Sequence, residues 1–125
     1  MTRQQLMEYC LKKTGAYIDH PFGPDSTILK VEKRIFAQFF QLKGNNCVTF
    51  NCDRMTGELY RQMFPGLVVR GYHCPPVQQP YFNTFSLDAG LPEDVILDMA
   101  DHSYAVVTGK LPKHLQQRLK NLENS

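Results

Sequence analysis

The residues of this chain best suited to chemistry are Gly71-Tyr72-His73 and four cations, Lys30, Lys33, Arg34 and Arg70. A phenol ring and an imidazole beside a flexible glycine can stack on a nucleobase or a ligand ring. Lysine and arginine contact phosphates whatever the base sequence. Lys30, Lys33, Arg34, Arg70, Tyr72 and His73 therefore form the candidate set for double-stranded DNA. Catalysis has no comparable set. The chain contains no G-x-S-x-G, Walker loop, G-x-G-x-x-G or H-E-x-x-H. Asp101-His102-Ser103 has the residue types of a triad, but neighbours on a helix point about 100° apart and cannot relay a proton among themselves. An enzyme is not expected, and Ser103 is assigned to the helix–sheet interface.

Four cysteines, Cys10, Cys47, Cys52 and Cys74, include no C-x-x-C pair, and Cys10 and Cys47 lie among apolar residues. Adjacent side chains such as His73 and Cys74 chelate one metal poorly. Free buried thiols are expected, with no metal and no cofactor.

The net charge of +2 is far from that of a strongly basic nucleic-acid binder. Its distribution is less even. Residues 26–87 hold seven bases (Lys30, Lys33, Arg34, Lys43, Arg54, Arg61, Arg70) against Glu32, Asp53 and Glu58, whereas residues 88–101 hold five acids and no base. Basic hairpins on one side and an acidic helix on the other would steer phosphate toward the sheet. No apolar run approaches the roughly 20 residues of a membrane span. The amphipathic start is unlike a signal core. A single cytoplasmic domain over residues 1–125 is expected, as a monomer.

These residues must be positioned by alternating helical and strand patterns. Thr2 with Gln5 forms a capping-box signal ahead of Leu6, Met7, Cys10 and Leu11. Residues 15–25, with two prolines, read as a loop. Three strands follow, Thr27 to Glu32, Ile35 to Leu42 and Cys47 to Cys52, with turns at Lys33-Arg34 and at residues 43–46. Alternation leaves Phe36 and Phe40 beside Gln38 on the sheet face away from the helices, open or under a loop. Asp53 caps a helix to about Phe64, with Leu59, Met63 and Met55 turned inward. A short extended piece at Leu67 to Arg70, a Pro-rich surface loop and a strand from Phe82 to Leu87 come next. A helix from Pro92 to about Val107 buries Val95, Met99, Ser103 and Val106 and exposes Glu93, Asp94, Asp98 and Asp101. A last helix carries Leu111, Leu115, Leu119 and Leu122 on one face. The order α-β-β-β-α-β-β-α-α predicts an α+β fold, an antiparallel sheet with helices packed on one face.

Over nearly its whole length the chain resembles the MmcQ/YjbR family. The matching positions are Leu29-Lys30-Val31, Lys33, Phe36-Ala37, Cys52-Asp53, Pro65, Gly71-Tyr72-His73, Asn83-Thr84, Leu87-Asp88, Leu91-Pro92 and Ser103-Tyr104. The resemblance implies a CyaY-like, or frataxin-like, fold and DNA binding through two β-hairpin wings. The chain departs from the family pattern after His73, where the run to Phe82 is longer and lacks the usual lysine and tryptophan. It departs again at Asn51, where a lysine is common. If the leading reading fails, the rival is a protein- or small-ligand-binding module using the open sheet face and the Pro-rich loop.

Overall fold

The computed structural model describes residues 1–20, 25–71 and 74–124. Thr2 caps α1 (Arg3–Leu11) reciprocally. The Gln5 N–H donates to Thr2 Oγ1 at 3.1 Å, and the Thr2 N–H donates to Gln5 Oε1 at 2.9 Å. Four strands follow: β1 (Tyr17–Asp19), β2 (Thr27–Val31), β3 (Arg34–Leu42) and β4 (Asn45–Asn51). The rest of the chain forms α2 (Arg54–Met63), β5 (Val69–Arg70), β6 (Phe82–Ser86), α3 (Glu93–Gly109) and α4 (Lys113–Glu123). The order is the expected one with a strand added, since β1 falls within the stretch read as loop. The rest of that loop lies partly outside the described residues. All pairings are antiparallel, in the order β1-β2-β3-β4-β6-β5. The architecture is α+β, as expected.

The first hairpin turn is shifted from its expected place and the second is tighter than expected. Val31 pairs with Arg34, so Glu32 and Lys33 form a two-residue turn, with φ of 48° and 66°. The turn therefore lies one residue earlier than Lys33-Arg34, and Arg34 begins β3. Leu42 pairs with Asn45 across Lys43 and Gly44, with φ of 52° and 82°. Two successive positive φ values define type I′ turns, whose twist matches the strands they join.

A β-bulge decides how the sheet meets the helices. Leu29 pairs with Ala37 while Lys30 pairs with Ile35, leaving Phe36 as the extra residue of β3. Phe36 thereby turns to the helix side, where it is fully buried and meets Tyr104 edge-on at 5.5 Å. This corrects its expected place on the opposite face, because simple alternation holds only where the ladder is unbroken. Of the two alternatives for the face away from the helices, open or covered, much of it is covered. The register lines up Ile28, Gln38, Thr49 and Thr84 across four strands, and Ile28, Thr49 and Thr84 are buried. Thr49 and Thr84 share a 2.8 Å hydroxyl hydrogen bond there.

On the helix side one core draws on Leu6 and Cys10 of α1, on Leu29, Ala37, Phe39, Val48, Phe50 and Phe85 of the sheet, and on α3 and α4. Along α3 the buried residues are Ile96, Met99, Ala100, Ser103 and Val107, and all four acids are exposed. The inward stripe is rotated slightly from the expected one, leaving Val95 and Val106 half-buried. Leu111, just before α4, and Leu119 on it are buried, Leu115 is half-buried and Leu122 is exposed.

Three consecutive side chains of α3 tie this core together. Ser103, with no exposure, donates to the Phe36 carbonyl at 2.5 Å and accepts from the Asn51 N–H at 2.9 Å. Its hydroxyl thus joins β3 to β4 one residue beyond the last ladder pair, Ala37 with Phe50. Tyr104 donates to the Thr14 carbonyl at 2.6 Å and fixes the end of α1. His102 Nε2 accepts from the Asp53 N–H at 3.1 Å. Farther up α3, Asp101 accepts from Tyr9 at 2.7 Å and from Lys13 at 2.5 Å. Burial opposes the charged form of Asp101, but these two donors outweigh it and hold the carboxyl below its ordinary range.

Replacing Ser103 with alanine should destabilise the fold by about 2–4 kcal/mol in urea titration, since a buried carbonyl and a part-buried N–H lose their partner at about 1–3 kcal/mol each. Acid should also weaken the fold. Because the folded Asp101 titrates below its unfolded value near 3.9, its contribution is complete above that pH and disappears as pH falls through the folded value. Asp101→Asn should lower stability at neutral pH and make the loss below about pH 4 shallower.

Candidate functional site

The six sequence candidates do not assemble into one site. Lys30 lies on the face away from the helices and is bound by Asp19 at 2.7 Å, which lowers the carboxyl and raises the amine from their ordinary values. Arg70 belongs to edge strand β5, four strands from Lys30, a span of about 19 Å. The register sets Arg70 in the row of Asn83, Phe50 and Ala37, which faces the helices, 3.9 Å from Glu58 of α2. Tyr72 and His73 lie outside the described residues. Only Lys33 and Arg34 stay together. Both are exposed at the β2–β3 tip, and neither is ion-paired among the described residues.

The remaining bases do not converge with these two. Lys43 occupies the turn at the opposite end of the nine-residue strand β3, roughly 30 Å from Arg34. Arg54 opens α2. Arg61 is largely buried and gives its guanidinium to Glu58 at 2.9 Å and to Asn83 Oδ1 at 2.6 Å.

A different neighbour joins the hairpin tip. Arg118 of α4 grips the Glu32 carboxylate with Nε at 2.9 Å and with Nη2, a fork-like pairing that holds this carboxyl below its ordinary value. His114, one turn earlier on α4, also acts on Glu32, as does Lys33. Lys33, His114 and Arg118 are thus gathered about one acid, with Arg34 next in the chain. Sequence reasoning missed the α4 pair because its partner lies 86 residues away, with no local pattern to link them.

The site-like polar cluster at the end of β4 is structural. Asp53 caps α2, accepting from the Thr56 N–H at 2.7 Å and the Thr56 hydroxyl at 3.0 Å. Asn83 is satisfied at both ends of its amide, accepting from Arg61 and donating to the Gly57 carbonyl at 3.2 Å. Burial pushes the Cys52 thiol up to about 11, against the opposing pull of Arg61. Cys10 is pushed up to about 12, also by burial. Neither is a thiolate nucleophile near neutral pH. The space among Asn51, Cys52, Asn83 and His102 is too narrow for a water molecule, and Asn51 Oδ1 is buried beside it with no partner among the described residues. Among the described residues no group of three or more His, Cys, Asp or Glu could hold a metal ion. Among the described residues no helix is long and apolar enough to cross a membrane.

Helix α2 reverses its expected orientation. Met55, Leu59 and Met63 were expected inside but are 84%, 54% and 52% exposed. The inward face is instead built from Gly57, Tyr60, Arg61 and Phe64. Glycine at 57 allows the helix to lie directly on Cys52 and Asn83, and a side chain there would strike Cys52 Sγ. Hydrophobic periodicity finds the apolar stripe of a helix but cannot tell that a glycine-and-arginine face is the one that packs.

Solved structures share this arrangement of strands and helices. A Deinococcus radiodurans protein, DR2400, described with domain DUF419, superposes with a TM-score of 0.84 at 23% identity, covering 95% of this chain and 88% of its own. A Pseudomonas syringae protein matches with a TM-score of 0.67 in its crystal structure, at 20% identity over 82% of this chain and 96% of its own. Its solution structure gives 0.69. The class of the molecule is thus the six-stranded α+β domain of these proteins. More particularly, the chain belongs to the YjbR family, whose family model matches residues 11–106. It is 26% identical to the uncharacterised protein YjbR of Escherichia coli K12, over 98% of this chain and all of that one. Escherichia coli O157:H7 has a protein with the same likeness.

Many residues that carried the family resemblance are now explained as ties: Asn83 under α2, Thr84 to Thr49, Asp53 as a cap, Ser103 and Tyr104 as anchors. Gly57→Ala tests the tightest of these contacts. Alanine gains about 1 kcal/mol of helix propensity, yet overpacking against Cys52 and Arg61 costs about 1–3 kcal/mol. A net loss is expected in thermal denaturation. Adding Cys52→Ala should recover much of it, as a positive coupling in the double-mutant cycle.

Proposed function

We propose that the chain is a non-enzymatic binding protein that meets duplex DNA weakly and without sequence preference, through the β2–β3 hairpin tip and the adjoining face of α4. The observation that carries this reading is the exposed pair Lys33-Arg34 on a strained turn. A type I′ turn favours Asn-Gly or Gly-Gly, yet Glu32 and Lys33 hold positive φ here, a conformation that costs an L-residue about 1–2 kcal/mol. The Lys33 side chain is exposed, so packing does not offset that cost. Strain retained beneath an exposed charge suits a contact tip. Glu32 lends its carboxylate to Arg118, which keeps α4 alongside and brings His114 near.

The other readings have less to rest on. The raised thiols and the closed polar cluster offer no reacting group with space for a substrate. The buried Ile28, Thr49 and Thr84 weaken the open-sheet module. Lys30 and Arg70 leave the interface, because each is matched by a carboxylate and they occupy opposite faces.

Two or three phosphate contacts give log K against log[salt] a slope of roughly −2 to −3. Fluorescence anisotropy with labelled duplexes across a salt series measures it. Lys33→Ala with Arg34→Ala should flatten the slope by about two units, while Lys30→Ala and Arg70→Ala should leave it unchanged. Absence of binding at low salt, or a slope indifferent to the hairpin pair, would overturn the reading.

A further inference from the structure

Arg118 uses only part of its hydrogen-bonding capacity on Glu32. A guanidinium carries five N–H donors in one plane. Nε and Nη2 direct two of them at the Glu32 carboxylate. The others, on Nη1 and the second position of Nη2, have no partner among the described residues. The two side chains also differ in exposure, Arg118 at 61% and Glu32 at 14%. The carboxylate is thus the shielded member of the pair, and the unpaired N–H groups belong to the member that faces solvent. Glu32 is itself held, since it opens a two-residue turn closed by the Val31–Arg34 pair. Arg118 keeps its carboxyl ionised, so the fork persists at neutral pH.

We propose that the outward edge of Arg118 is a seat for one backbone phosphate of duplex DNA, and that Glu32 is a positioning residue that holds the guanidinium plane for it. DNA as the source of that phosphate rests on the reading above, whereas the seat itself depends only on Arg118 and Glu32. Parallel N–H groups on one guanidinium edge match two phosphate oxygens, a pairing that lysine cannot reproduce. Fixing the plane in advance spares the rotamer freedom that a long side chain otherwise loses on binding. A phosphate on the outward edge is separated from the Glu32 carboxylate by the guanidinium that neutralises it. Lys33 and His114, both close enough to act on Glu32, add positive field. Helix α4 lies beyond residues 11–106, the stretch that the family model matches, so this seat belongs to the chain's own final helix.

NMR of the full chain reads the seat directly, by following the Arg118 side-chain N–H signals as inorganic phosphate is added at constant ionic strength. They should shift saturably in the parent and far less in Glu32→Ala. Unmoved signals in the parent overturn the seat, whether or not DNA binds. Shifting signals in a chain that binds no duplex keep the seat but overturn DNA as the source of its phosphate.

Labelled duplexes test the source. Arg118→Ala should weaken binding roughly tenfold at low salt and flatten the salt slope by about one unit. Glu32→Ala separates positioning from charge. Loss of an acid alone predicts tighter binding, whereas loss of the held plane predicts binding weaker by roughly threefold to tenfold. In an Arg118→Ala background the same substitution should instead tighten binding, since only repulsion remains to be removed. A surface ion pair contributes little to stability, so all variants should keep the parent's circular dichroism. Equal tightening by Glu32→Ala in both backgrounds overturns its positioning role. Duplex binding indifferent to Arg118→Ala overturns the seat on DNA and leaves the hairpin reading in place.

Discussion

One serine hydroxyl is the interaction on which the rest of this structure depends. The β3–β4 ladder ends at the Ala37–Phe50 pair, beside the bulge at Phe36, and Ser103 of α3 bridges the next two backbone positions with one donated and one accepted hydrogen bond. Without it the Phe36 carbonyl and the Asn51 N–H would both lose this partner. With it, Phe36 can point into the helix layer and receive Tyr104 edge-on. The 100° step between helical neighbours, which excludes a catalytic relay, also lets His102, Ser103 and Tyr104 reach three different elements. His102 reaches the start of α2, Ser103 the sheet and Tyr104 the end of α1.

Much of this fold was legible in the sequence because it is written in local signals. The capping box at Thr2, the cap at Asp53 and the acids at the first turn of α3 each act within one helical turn. The hidden parts depend on pairings across the chain. Strand β1 is three residues long and has no alternation of its own to announce it; its register against Lys30, Leu29 and Ile28 defines it. The bulge is invisible for the same reason, since it is a property of two strands together. The turn at Glu32-Lys33 was misread by one residue because neither side chain is one that usually accepts positive φ.

The site was less legible than the fold. Charge counting grouped seven bases, but three of them are held by carboxylates at other points of the fold. A base bound to an acid no longer contributes to the outer field as a free charge does. Conversely, the approach of α4 to the hairpin joins residues 86 positions apart through Glu32 and Arg118. On α2, a glycine and a buried arginine displaced the apolar stripe outward, which changes that helix from a core element into a possessor of free apolar surface.

The two ends of the sheet limit how the molecule can meet others. Its edges are β1 with three residues and β5 with two, so each offers a template far shorter than a typical strand of five or six. Backbone pairing with a foreign strand would gain only a bond or two before running off the end. Such blunt edges protect a concentrated solution from sheet-to-sheet stacking and fibre growth. They also leave recognition to turns and helices, whose side chains, rather than an exposed ladder, decide which partner fits.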